Sequence, residues 1–139
     1  QIGCGSGLPG LYAYIQGATV TFTDYVSMFV QSNCERFLIK VHTVISNFRF
    51  DVILTSETIY NPANYKKLYN IMEKLLKDSG KIFIAAKTYY FGVGGGTRDF
   101  EDMVKNLGEF SIKIVKLFEE ARSLEMTCLF SMSHMKSEL

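Results

Sequence analysis

Two short apolar runs with an amphipathic helix between them constrain this 139-residue chain more than any other feature. Residues 51–55 read DVILT and residues 82–86 read IFIAA. Short continuous runs of this kind are what strands buried on both faces of a parallel sheet require. Between them, residues 62–79 carry a helical period. Tyr65, Leu68, Tyr69, Met72, Leu75 and Leu76 share one stripe, Asn61 stands where a cap is needed, Pro62 opens the first turn and Gly80 is placed to close the last. Strand, helix, strand in that order specifies a βαβ unit, because parallel neighbours need a crossover long enough to hold a helix.

The rest of the chain extends the alternation. It opens QIGCGSGLPG, a glycine turn with Pro9 at the start of a short helix over residues 10–17. Residues 19–23, TVTFT, are β-branched and alternating, as in a strand. A further helix is expected over residues 98–107, with Thr97 as cap, Gly108 as stop, and Phe100, Met103, Val104 and Leu107 as its apolar stripe. Asp99, Glu101 and Asp102 load its positive end with acids. Residues 111–118 and 124–131 read as two strands of an antiparallel hairpin at the sheet edge. Residues 30–50 are poorly periodic and must hold a helix and a third strand in little chain. The expectation is a single α/β domain over residues 1–139. Only two residues precede the glycine cluster, so most of the strand that should lead into it is expected to lie upstream of this fragment.

Composition narrows the function classes. Hydrophobic residues make up 47% and aromatics 14%, enough for a packed core. A net charge of +1 offers no electrostatic footprint for nucleic acid or an anionic membrane. Cys4, Cys34 and Cys128 are odd in number and irregularly spaced, which suits a reducing compartment better than a disulfide framework. His42 and His134 are distant from each other and from any cysteine pair, so no metal site is expected. No apolar run approaches the roughly 20 residues of a membrane span.

Four stretches carry chemistry. In GCGSGLPG, Gly5, Gly7 and Gly10 fit G-x-G-x-x-G, the dinucleotide fingerprint, while Gly3, Gly5 and Gly7 fit G-x-G-x-G, used for S-adenosylmethionine. Both patterns let the backbone approach a cofactor closely, and the stretch alone does not choose between them. Asp24 ends the second strand, where a carboxylate can accept both hydroxyls of an adenosine ribose, and Tyr25 beside it can lie against adenine. DVILTSETIYNP runs from a buried strand into Ser56 and Glu57, then Tyr60, Asn61 and Pro62. In open parallel sheets ligands collect at such carboxyl ends. KTYYFGVGGGTRDF leads Tyr89, Tyr90 and Phe91 into Gly94, Gly95 and Gly96 just before a helix. Glycines before a helix suggest an anion cradle, but a run of aromatics is not what a phosphate needs.

GCGSGLPG, TDY, ILTSETIYNP and AKTYYFGVGGG, in that order, closely resemble the eukaryotic histidine protein methyltransferase family, over most of the chain from Gln1 to about Phe130. The resemblance implies a Rossmann-like, seven-strand class I methyltransferase sheet with helices on both faces and a C-terminal antiparallel hairpin. It implies S-adenosylmethionine as cofactor and S-adenosylhomocysteine as product. Gly3, Cys4, Gly5, Ser6 and Gly7 would line the cofactor, the glycines meeting its methionine portion. Asp24 and Tyr25 would serve the adenosine, and Ser56 would border the cofactor from the fourth strand. Tyr89, Tyr90, Phe91, Gly94 and Gly95 would wall the substrate channel. Apart from the resemblance, a ring that turns cationic on methylation needs a carboxylate near its other N–H, and Glu57, the acid at the end of the fourth strand, is the candidate, with Tyr60 and Asn61 as polar supports. The chain departs from the family at Val26, where asparagine is usual, and has no tryptophan to lie against adenine. The implied substrate is a histidine of the large-subunit ribosomal protein uL3, modified by a monomer in cytoplasm or nucleus. Rival readings are a lysine or small-molecule methyltransferase, a nicotinamide oxidoreductase using Gly5, Gly7 and Gly10, and a decayed domain that only binds a partner.

Overall fold

The computed structural model describes residues 1–24, 49–119 and 126–135. Helix α1 (Leu8–Ile15) is followed by strand β1 (Phe50–Ser56), a 3-10 turn (Pro62–Asn64), α2 (Tyr65–Leu75), β2 (Leu76–Lys87), α3 (Thr97–Leu107), β3 (Phe110–Glu119) and β4 (Met126–His134). The named strands form one sheet in the order β1-β2-β4-β3. β1 and β2 are parallel, as the βαβ reading requires, and β4 is antiparallel to both β2 and β3. Parallel bridges from Ile2 to Thr23 and to Thr55 carry the sheet past β1 on its other side. The expected hairpin is present, but its second strand lies inside the sheet and β3 alone forms that edge. The helix and third strand expected over residues 30–50 fall almost wholly outside the described residues.

The core sits between one sheet face and the two later helices. Ile53, Ile82, Ile84, Ala86, Phe130 and Met132 point into it and meet Tyr65, Tyr69 and Met72 of α2 and Phe100 and Val104 of α3. Burial on both faces, expected from the apolar runs, is not what β1 and β2 show. In β2, Ile82, Ile84 and Ala86 are fully buried while Phe83 and Ala85 are only partly so. In β1, Val52 is 50% exposed beside a groove shared with Ala13 and Thr21. The second face is thus the thinner layer among the described residues.

The long helix is shorter than its sequence pattern. The stripe is as read, and the Asn61 side chain accepts from the Ala63 N–H at 3.0 Å as a cap. Yet the helix ends at Leu75, and Leu76 is already extended, fully buried and paired with Phe50. Residues 77–80 form a bulge, since the ladder passes from Phe50–Leu76 to Val52–Lys81. Gly80 is therefore a strand residue and not a helix stop. Pairing and burial of Leu76 outweigh the helical propensity of the lysine that follows. α3 begins at Thr97 with Gly96 as its cap, and Gly108 ends it at φ 78°. Among the described residues no helix is long and apolar enough to cross a membrane, and no group of three or more metal-ligating side chains converges.

Candidate cofactor and active site

The segment at Ile2 pairs with Thr23 on one side and Thr55 on the other, so the strand order reverses there. Open parallel sheets bind ligands at this reversal, beyond the carboxyl ends of the strands. Four loops leave the sheet at that end. They start at Gly3 after Ile2, at Asp24 after Thr23, at Glu57 after Ser56, and at Thr88 after Lys87.

The glycine loop is built from left-handed backbone. Gly3, Gly5 and Gly7 have φ of 60°, 49° and 73°, values that side chains with a Cβ resist. The Cys4 N–H donates to the Thr23 carbonyl at 3.1 Å and the Gly7 N–H to the Cys4 carbonyl at 2.7 Å. The Gly5 N–H donates to Asp24 Oδ2 at 2.7 Å, so the acid at the end of the second strand braces the loop itself. A Cβ placed on Gly5 would meet nothing within 4 Å, so the space above the braced turn is open. Cys4 turns its side chain inward against Phe22, and Ser6 is exposed. The glycine at position 10 seats α1 on the Phe22 ring, a packing task separate from the open turn. Tyr25 lies outside the described residues.

The second half of the site gathers at the ends of β1 and β2. Ser56 is exposed at the last rung of the β1–β2 ladder, opposite Ala85. Glu57 follows it with φ 55°, the single non-glycine residue at positive φ among the described residues, and its N–H donates to the Ala85 carbonyl at 2.9 Å. Holding a non-glycine residue there costs about 1–3 kcal/mol and is typical of functional turns. The Tyr90 hydroxyl, near Glu57, accepts from the Lys87 N–H at 3.2 Å. Burial first, and then the Glu57 charge, push the Tyr90 hydroxyl far above the usual tyrosine range. Tyr60, 47% exposed, meets the Tyr90 ring edge-on with centroids 6.3 Å apart. Asn61 spends its side-chain oxygen on the Ala63 cap. Tyr89 and Phe91 pair with each other at 5.1 Å and stand exposed beside this cluster in sequence.

The glycine run has a specific structural reason. Gly94, at φ 85°, faces open space, whereas Gly95 is buried where a Cβ would overlap the Tyr60 carbonyl. Tyr65 completes the joint: its hydroxyl donates to the Ile59 carbonyl at 3.1 Å and accepts the Gly96 N–H at 2.8 Å. The close backbone approach made by Gly95 is therefore to the chain's own Tyr60. Sequence reading placed Tyr65 only in the core stripe, and no local signal marks it as the pin between two loops. Thr58 was also missed. It hydrogen-bonds Thr55 at 2.8 Å, and its methyl lies 2.8 Å from where a Gly3 Cβ would sit, which joins the glycine loop to the Glu57 loop.

No protein-family model matches the sequence. Among curated proteins, the histidine protein methyltransferase 1 homolog of Dictyostelium discoideum is 40% identical over 140 residues, covering 88% of this chain and 45% of that protein. The homolog of the same description from Mus musculus is 42% identical over 82 residues, covering 57% of this chain and 23% of that protein. The chain thus spans less than half the length of these relatives. Among solved structures, the PH0226 protein of Pyrococcus horikoshii OT3 superposes with a TM-score of 0.72 at 12% identity, over 96% of this chain and 80% of that one. A ribosomal protein L11 methylase from Lactobacillus delbrueckii subsp. bulgaricus gives 0.63 at 16% identity, over 96% and 68%. The DhpI–SAH complex gives 0.69 at 9% identity, over 98% and 76%.

Proposed function

The chain belongs to the histidine protein methyltransferase family and has a class I methyltransferase fold, and from that premise we propose that it transfers a methyl group from S-adenosylmethionine to a ring nitrogen of a protein histidine. The observation that carries this reading is the junction of two half-sites at the carboxyl end of the sheet. An open glycine turn braced by Asp24 touches, through Thr58, the loop that presents Glu57. A structure similar in fold is a complex with SAH, which agrees with that cofactor class.

The residues fit the cofactor. Left-handed glycines open space where a methionine moiety can lie, and a carboxylate stands at the neighbouring strand end, where ribose hydroxyls are held in such sheets. When bound, S-adenosylmethionine supplies a methyl group on a sulfonium, an electrophile that needs no metal. The chain's own residues then have a modest task. Free imidazole has a pKa near 6.5 and is mostly neutral and nucleophilic at pH 7, unlike lysine at about 10.4. Positioning one ring nitrogen in line is worth several kcal/mol. Tyr60, with Tyr89 and Phe91 on the adjoining loop, offers aromatic surface for a flat ring. Glu57 accepts the N–H of the opposite ring nitrogen, which selects the tautomer. As the new N–C bond forms and the C–S bond breaks, the ring becomes cationic, and the Glu57 carboxylate stabilises that charge and can take the N–H proton.

The methyl acceptor implied by the family is a histidine of ribosomal protein uL3, met by a monomer in cytoplasm or nucleus, with residues 1–139 forming part of one methyltransferase domain. Single-turnover methylation of a histidine-containing uL3 fragment, read by mass spectrometry, tests this. The expected result is one methyl group on histidine, with Glu57→Gln keeping S-adenosylhomocysteine affinity and losing about 10²-fold in rate. A methylated lysine in place of histidine overturns the substrate class, and a wild-type rate in Glu57→Gln removes that residue from the mechanism.

A further inference from the structure

We propose that Thr58 is a positioning residue for methyl transfer, its hydroxyl fixing the turn that presents Glu57 and its methyl group setting the glycine loop. The inference rests on the methyl-transfer reading above. Thr58 stands between the two half-sites. Its hydroxyl and that of Thr55 hydrogen-bond at 2.8 Å, closing the turn. Its methyl carbon lies 2.8 Å from where a Cβ on Gly3 would stand, so the glycine loop approaches it closely only because Gly3 has no side chain.

The anchor beneath Thr58 is rigid. Thr55 is 4% exposed in β1 and bridges Ile2, whose N–H donates to the Leu54 carbonyl at 2.8 Å. The residue before Gly3 and the residue that receives Thr58 are thus neighbours on one sheet. Between Thr55 and Thr58 the chain turns through Ser56 and Glu57, both exposed, with Glu57 at φ 55°. Burial does little to hold that turn. The Glu57 N–H bond to the Ala85 carbonyl fixes where it leaves the sheet, and the Thr55–Thr58 bond fixes where it returns, ahead of the fully buried Ile59. Threonine suits the post because it is β-branched and stiff at χ1. One torsion places both of its branches, so the hydroxyl that bonds Thr55 also determines where the methyl group meets Gly3. The Glu57 turn and the glycine loop are thereby set in register by a single side chain. Valine would supply the apolar half of this joint and serine the polar half, and neither supplies both.

The test divides the two halves. Thr58→Val keeps the contact with Gly3 and loses the bond, so the single-turnover rate should fall about tenfold with S-adenosylhomocysteine affinity unchanged. Thr58→Ser restores the bond and should recover most of that rate at saturating cofactor. Its S-adenosylhomocysteine affinity in calorimetry should be weaker by about threefold, because the glycine loop then holds its binding conformation for a smaller fraction of the time. Thr55→Val should reproduce the rate loss of Thr58→Val. The double variant Thr55→Val/Thr58→Val separates positioning from stability. Each single change to valine leaves one hydroxyl without its partner and should lower the urea midpoint, whereas removing both should recover much of it. The rate should stay low in the double variant. A rate that returns together with stability would make the bond structural only and overturn the proposal, as would a wild-type rate in Thr58→Val. Unaltered cofactor affinity in Thr58→Ser would refute the Gly3 half. If the wild-type chain methylates no histidine, the functional reading falls, while the calorimetric ranking of Thr58→Val above Thr58→Ser still tests the methyl contact by itself.

Discussion

Asp24 has a second duty beside the one its sequence suggests. The aspartate at the end of a second strand reads as a ribose ligand, and here it is also the acceptor that closes the glycine turn through the Gly5 N–H. Two variants separate these duties. Asp24→Ala loses both the brace and the charge, and charged hydrogen bonds are worth roughly 1.5–3 kcal/mol each. Affinity for S-adenosylhomocysteine in calorimetry should fall by about one order of magnitude or more. Asp24→Asn retains an oxygen for Gly5 while losing the charge, so its affinity should lie between the two. The wild-type protein should give no heat with NAD. Equal affinities across the three proteins would make Asp24 a turn former only, and NAD binding without a response to S-adenosylhomocysteine would overturn the cofactor assignment.

The loop between β2 and α3 shows how an element can be specified by a contact far along the chain. Its three consecutive glycines read in sequence as a cradle or a channel wall, and Gly95 proves to be the point where two loops touch backbone to backbone. A methyl group at Gly95 would overlap the Tyr60 carbonyl and crowd the Tyr65 hydroxyl, 2.9 Å away, and neither partner is a flexible side-chain end free to yield. Gly95→Ala should therefore destabilise by about 1–3 kcal/mol, as overpacking does. At Gly94 the space is open and only the left-handed backbone resists, which costs roughly 1–2 kcal/mol. Denaturant midpoints should rank wild type above Gly94→Ala and Gly94→Ala above Gly95→Ala. The reverse order would mean that the conformation, not the close approach, dictates glycine in this run.

At the scale of the molecule, stability should be graded across the sheet. β2 is paired on both sides, by β1 and β4, and carries Ile82, Ile84 and Ala86 into the core, whereas Ile114, Val115 and Leu117 of edge strand β3 are about half exposed. Hydrogen exchange should find the slowest amides in residues 82–86 and 129–132, opening only with global unfolding, and much faster exchange over residues 113–118. Equal protection of β3 would show that its edge is covered in solution. The same gradient separates what was legible in the residues from what was not. Local chemistry signalled the βαβ unit, the Asn61 cap, the Gly108 stop, the terminal hairpin and the glycine turn, because residue types a few positions apart mark each of them. The sequence by itself also carried the family resemblance, since that is a matter of ordered motifs. Three features needed the fold: the early end of α2 at Leu75, the insertion of β4 between β2 and β3, and the meeting of Tyr60, Tyr90 and Gly95. In each the deciding partner is remote in sequence: Phe50 for Leu76, β2 for β4, and Tyr60 and Tyr65 for the glycine run. Burial and pairing with distant residues overrode local propensity there, and only tertiary packing brings those partners into contact.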